Sequence, residues 1–282
     1  MTSKKTLGIT IAAIVACFVV YQYCQPLRKP VPAQKTSVFD QSRQDPRPTG
    51  ITQIATIDSL LAGVYDGETT LEELRRYGDF GIGTFQSLDG EMVLLDGVFY
   101  QVKGDGHVYR PELRTTVPFA AVLPFPTETI KAEIDTPVDS MALYRRIDEL
   151  APNPNVPIAV RLKGRFAGVR TRSVPAQEKP YKPLVEVTKN QPEFELGTLE
   201  GDVVGFRLPP YVRGINVPGY HLHFLSRDRK QGGHLLRLNM ESGTIEIGTT
   251  YRFQVILPEK ISGFSEANLS KDRSEELEKV EK

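Results

Sequence analysis

The chain has 282 residues, with 35 basic and 35 acidic side chains, four histidines, two cysteines and no tryptophan. An apolar share of 40% and a charged share of 25% exclude a disordered chain, and a formal net charge of zero argues against broad capture of nucleic acid. The length suggests one large or two small domains. Both cysteines, Cys17 and Cys24, lie near the N-terminus. Beyond them a disulfide framework, a Cys-ligated zinc and a cysteine nucleophile are excluded, so any metal there must be held by His, Asp or Glu.

Lys4 and Lys5 precede an uncharged run from Leu7 to Tyr23. It sits at the short limit, about 17 residues, for a membrane-spanning helix, and equally suits the apolar region of an export signal. Ile14-Val15-Ala16-Cys17 resembles a lipoprotein cleavage site, but Phe18-Val19-Val20 carry the run past the cysteine. Arg28, Lys29 and Lys35 balance the leading lysines, so charge does not fix an orientation. Residues 1–24 are therefore expected to be a signal peptide or membrane anchor. Pro26, Pro30, Pro32, Pro46 and Pro48 make residues 25–50 a flexible linker. The body is expected outside the bilayer, tethered to it or secreted after cleavage.

Folded sequence begins near Ile51. Thr56-Ile57-Asp58-Ser59-Leu60-Leu61 predicts a short capped helix, and Thr70, with Glu72 and Glu73 behind it, caps a second that Gly78 should end. Phe80 to Phe85 and Met92 to Leu95 read as strands separated by a turn at Leu88-Asp89-Gly90. Asp96-Gly97 is a hairpin turn into a strand Val98–Val102. Met141 to Leu150 has helical spacing. Strands are then expected at Ile158–Leu162 and Phe166–Val169, joined at Lys163-Gly164-Arg165, and at Gly201–Leu208 and His221–Leu225. Leu235–Met240, Thr244–Ile247 and Tyr251–Leu257 complete the set. The charged end from Ser270 reads as a short amphiphilic helix or a mobile terminus. Helices are few, so the fold class is α/β or α+β on mixed β-sheets.

Three of the four histidines fall together: His221, His223 and His234. On a strand, His221 and His223 face the same way, about 7 Å apart. A turn at Gln231-Gly232-Gly233 would bring back an antiparallel strand opened by His234. The resulting triangle suits zinc or another divalent first-row metal, with an open position for water or substrate. His107, beside Gly106 in a turn, reads as a surface residue.

The ordered strings Gly78-Asp79-Phe80-Gly81-Ile82-Gly83-Thr84, Leu88-Asp89-Gly90-Glu91-Met92 and Phe99-Tyr100-Gln101-Val102 resemble the α-acetolactate decarboxylase family. So do Arg172-Ser173-Val174-Pro175-Ala176-Gln177, Lys179-Pro180-Tyr181, the stretch from Asn216 to Phe224, and Gly232-Gly233-His234. The resemblance runs from about Ile54 to the C-terminus. It implies zinc (Zn2+) on His221, His223 and His234. It also implies two domains, set here at 51–154 (α/β) and 155–260 (β-rich, with the metal site), followed by a tail at 261–282. The implied reaction converts (S)-2-acetolactate, a small 2-hydroxy-3-oxo acid, to (R)-acetoin and carbon dioxide through a metal-stabilised enediolate, in acetoin and butanediol formation. Glu91 and Arg172 are implied as the catalytic pair, and Thr84 as a hydroxyl that orients substrate or Glu91. A tail glutamate is implied too, which counting from Leu257-Pro258 places at Glu281, with Glu278 next.

Two other readings stand beside this one. Cupin-like enzymes also use His-x-His on a strand, but their usual glutamate is replaced here by Ser226 and Arg227. A tethered metal- or ligand-binding module would need no turnover. The sequence leaves open whether the chain is a monomer or a homodimer.

Overall fold

The chain's apolar and turn residues sort it into two β-sheets with short helices around them. A computed structural model describes residues 49–281. The anchor, signal and lipidation readings, and nearly all of the proline-rich linker, fall outside the described residues. Among the described residues no helix is long and apolar enough to cross a membrane.

The first half supplies strands β1 (Ile51–Ile54), β2 (Thr69–Thr70), β3 (Phe80–Thr84), β4 (Glu91–Leu95), β5 (Val98–Val102), β6 (Val108–Tyr109), β7 (Thr116–Val117) and β8 (Phe119–Leu123). Helix α1 (Ile57–Leu61) starts where Thr56 accepts a hydrogen bond from the Ser59 amide. Helix α2 (Leu71–Leu74) starts in a reciprocal capping box between Thr70 and Glu73. It stops at Leu74, short of the expected Gly78. The Asp96-Gly97 turn has positive φ at both residues, 52° and 77°, as a tight hairpin requires, and joins β4 to β5.

The remaining strands are β9 (Ile130–Ile134), β10 (Val138–Asp139), β11 (Ile158–Arg172), β12 (Glu193–Leu208), β13 (Gly219–Ser226), β14 (Gly232–Thr249) and β15 (Phe253–Ile256). With them come α3 (Ser140–Leu150), α4 (Leu184–Val187), α5 (Ser262–Glu266) and α6 (Ser274–Glu281). The first sheet has the order β15-β1-β8-β3-β4-β5-β6. It is mixed, because β1 runs parallel to β15 and antiparallel to β8. The second sheet has the order β10-β14-β11-β12-β13, with β9 also on β14. Its strand β13 pairs with β14 as well, so β14, β11, β12 and β13 form a closed circuit.

The expected break at Lys163-Gly164-Arg165 does not occur. β11 is one strand of 15 residues, and the two segments expected around Ser242-Gly243 are likewise parts of the 18-residue β14. The reason is steric. Gly164 pairs with Gly201 on one side and Gly243 on the other. A Cβ on Gly164 would lie 2.1 Å from the Ser242 carbonyl oxygen, and one on Gly243 would lie 2.2 Å from that of Lys163. These glycines mark a close crossing of three strands rather than a turn.

The sheets pack on each other through Ile51, Phe80, Ile82, Val93 and Leu95 of the first and Ala159, Val204, Phe206, Leu208 and Leu225 of the second. Each of these side chains larger than Ala159 contributes about 1.5–3 kcal/mol by leaving water. The boundary expected between residues 154 and 155 does not follow the sheets. β9 and α3 precede it yet pair with or pack on the second sheet, and β15 follows it yet edges the first. The described residues 49–281 form a single unit because each sheet buries its apolar face on segments drawn from both halves.

Gly243→Ala should lower stability by about 3 kcal/mol in urea unfolding, since strained backbone (φ 138°) and overlap with Lys163 combine. Gly197→Ala, at φ 71° with nothing within 4 Å of the new carbon, should cost only about 1 kcal/mol.

Candidate metal centre and active site

The site forms where the closed strand circuit meets β4. His221 and His223 point to one face of β13, as their i, i+2 spacing dictates. His234 pairs directly with His223 on one side and with Arg172 of β11 on the other. The expected turn at Gln231-Gly232-Gly233 lies earlier, at residues 227–230, where Arg229 adopts φ 58°. Gly232 and Gly233 belong to β14 itself. A Cβ on Gly232 would sit 2.4 Å from the Phe224 carbonyl oxygen and one on Gly233 2.5 Å from that of Arg172. The two glycines let β14 approach both neighbours at once, which seats His234 in the triangle.

The three imidazoles are buried, with ring centroids 5.0–5.4 Å apart. One ligand atom from each lies within 4.8 Å of the other two. His223 donates its Nδ1–H to the Met92 carbonyl at 2.9 Å, which leaves the Nε2 lone pair toward the shared centre. That Nε2 and the Nδ1 of His221 are buried without a hydrogen-bond partner. Burial, reinforced by the Arg172 charge, pushes the His221 pKa down to about 3. Burial also holds His223 and His234 well below the ordinary histidine range. All three are thus neutral near pH 7, the state that binds a metal. Buried nitrogens with no partner on a common centre fit a divalent cation.

Two carboxylates flank the triangle. Glu91 Oε2 is 3.5 Å from His223 Nε2, and Glu281 Oε2 is 3.7 Å from His234 Nε2. Burial, offset in part by Arg172 and reinforced by Glu281, raises the Glu91 pKa to about 8. Burial offset by Arg172 raises Glu281 to about 7. Glu91 opens β4 opposite Thr84 on β3. Thr84 is buried and donates its hydroxyl to the Gly90 carbonyl at 2.7 Å, fixing the turn that presents Glu91. Gln101 and Lys103 hold the same turn through Asp89.

Arg172 is 5% exposed at the end of β11, and its charge acts on both carboxylates. Glu281 arrives on α6, whose Leu277 and Val280 are buried among Ile57, Leu60, Leu88, Phe119 and Leu184. The tail is therefore a docked helix. Glu281 lines the cavity, whereas Glu278 is exposed. The cavity, of about 50 Å³, has all seven expected residues in its wall. His107 is exposed, as its turn position implied.

The sequence model of the alpha-acetolactate decarboxylase family matches residues 51–271. The chain belongs to the alpha-acetolactate decarboxylase family. It is 44% identical over 231 residues to the alpha-acetolactate decarboxylase of Methylococcus capsulatus, covering 82% of this chain and 88% of that one. It is 45% identical to the Methanosarcina mazei protein of the same name, covering 82% and 79%. The crystal structure of alpha-acetolactate decarboxylase from Bacillus subtilis strain 168 superposes with a TM-score of 0.79 at 39% identity, over 82% of this chain and 98% of that one. Family membership makes the chain a carboxy-lyase and removes the cupin-like and non-catalytic readings. The matched span ends before α6, so Glu281 rests on its geometry.

Groups not expected from sequence also build the site. The Met92 carbonyl that orients His223 is backbone, and no residue type announces it. Leu184 comes from α4, Thr188 from the 3₁₀ turn after it, and Gln191 follows that turn; all three line the cavity. The lone signal for that segment is Pro183 ahead of Leu184-Val185.

Metal that binds only the folded chain should stabilise it, by about 2.7 kcal/mol at a hundredfold excess over Kd. A chelator should therefore lower the thermal midpoint, zinc should restore it, and His223→Ala should remove the zinc-dependent shift.

Proposed function

We propose that this decarboxylase converts (S)-2-acetolactate to (R)-acetoin and carbon dioxide in acetoin and butanediol formation, with zinc on His221, His223 and His234. The observation that carries the assignment of roles is a buried Arg172 lining one cavity with two half-buried carboxylates, Glu91 and Glu281, beside the three-histidine centre. A cation held by His221, His223 and His234 would supply Lewis-acid stabilisation of the negative charge that grows as the carbon–carbon bond breaks. Arg172 binds and orients the substrate carboxylate with its planar fork. Once that group leaves as neutral carbon dioxide, its electron pair resides on the remaining enediolate, and the interaction with Arg172 is lost.

The enediolate then needs a proton on one face. Glu91 and Glu281, both held above the usual carboxylate range, can carry a proton near neutral pH. Thr84 acts through the Gly90 carbonyl to keep Glu91 in place. Apolar residues Ile57, Leu60, Leu88, Phe119 and Val174 exclude water from the carbanionic centre and surround the substrate methyl groups. The uncharged run from Leu7 to Tyr23 supports a body held outside the bilayer, a reading that membrane fractionation of cells tests.

With racemic acetolactate, the metal-loaded full chain should form acetoin well above the spontaneous rate. Glu91→Gln should lower kcat about 100-fold or more while bound metal stays near one per chain. Arg172→Lys keeps the charge but loses the fork and should raise KM about tenfold. No acetoin above the spontaneous rate with metal bound would contradict the proposal.

A further inference from the structure

Gln191 has no part in the chemistry above, yet it is one of the residues that line the cavity. Leu184, Thr188 and Gln191 all line the cavity, at spacings of four and three residues. Leu184 is apolar, and the Thr188 hydroxyl is already donated to the Leu184 carbonyl at 3.0 Å. Gln191 differs from both. Its Oε1 is buried and has no hydrogen-bond partner. Its backbone is fixed, because its amide donates to the Thr188 carbonyl and the next residue, Pro192, accepts from the Ser173 amide at 3.2 Å. One residue further on, Glu193 pairs with Arg172. The Gln191 backbone is thus anchored two residues from the strand pair that carries Arg172.

A buried acceptor without a donor costs free energy, so such an atom in a binding cavity marks where a ligand supplies the donor. Acetolactate near neutral pH carries a carboxylate, a ketone and a tertiary hydroxyl. The first two only accept hydrogen bonds. The hydroxyl is the one donor the molecule has.

Resting on the decarboxylase reading, we infer that Gln191 is a substrate-binding residue whose Oε1 accepts the hydrogen bond of the substrate's tertiary hydroxyl. The site thereby selects 2-hydroxy-3-oxo acids over 3-oxo acids that bear a methyl or hydrogen at that position. An oxo acid without the hydroxyl leaves the buried oxygen unpaired, and the site rejects it for that reason.

Two non-reacting probes isolate the contact: 2-hydroxy-2-methylpropanoate and 2,2-dimethylpropanoate, which differ by a hydroxyl in place of a methyl. Their affinities are measured by thermal shift and by competition with acetolactate, on the metal-loaded full chain and its Gln191→Leu variant. The variant should bind the hydroxy acid about fivefold more weakly, and its KM for acetolactate should rise by a similar factor. Affinity for the dimethyl acid should change less than twofold. Its ligand-free thermal midpoint should stay level or rise, since leucine removes an unsatisfied polar atom. Equal weakening of both probes, no weakening of either, or a ligand-free midpoint lowered by several degrees would overturn the inference. Because the probes bind without reacting, a wild type that forms no acetoin would sink the decarboxylase reading separately.

Discussion

The site depends on a backbone constraint: β14 must lie against β11 and β13 simultaneously at the level of His234. Strands separated in sequence by a hairpin usually share one neighbour, but here the same residue faces Arg172 on one side and His223 on the other. Gly232 and Gly233 make this possible because any side chain there would strike a carbonyl oxygen of β13 or β11. The histidine triangle and the arginine are consequently placed by the same strand pairings. A change that loosened β14 would disturb the three histidines and Arg172 together.

Electrostatics follow from that enclosure. Three imidazoles and a guanidinium are buried and two carboxyls half-buried near a common centre, and each would prefer water in isolation. The shifts run in the expected directions: the histidines are driven neutral and the carboxyls toward protonation, with Arg172 opposing the latter. Such an arrangement is costly in a protein without ligands. It becomes favourable when a cation occupies the histidines and an anion occupies Arg172, so the buried polar groups describe their ligands by charge complementarity. The chain's zero net charge is no obstacle, because the positive charge needed for a small anion is local.

Much of this was legible in the residue order. His221 and His223 share a face because a strand has a period of two, and a return strand was implied by the short interval to His234. The position of the turn was misread, since paired glycines serve equally for a bend and for close strand approach; only the neighbouring carbonyls distinguish them. Gly164 misled for the same reason. β15 crosses back to pair with β1 in the first sheet, a long-range pairing with no local signature. Thr56, Thr70 and Asp96-Gly97 succeeded because caps and tight turns are decided within four residues. Glu281 could be counted to from Leu257-Pro258, but its approach to His234 depends on Leu277 and Val280 docking α6. Gln191 was invisible, because its significance lies in an oxygen that finds no partner once the chain is folded.

The central claim is that three buried neutral histidines, and no thiol, hold the metal. X-ray absorption at the zinc edge of the metal-loaded full chain addresses it directly. The account predicts one zinc per chain with a shell of nitrogen and oxygen only, nitrogens at about 2.0–2.1 Å, and the multiple scattering of three imidazoles. A sulfur scatterer at about 2.3 Å, which would bring Cys17 or Cys24 into the site, or scattering from fewer than three imidazoles, would contradict it.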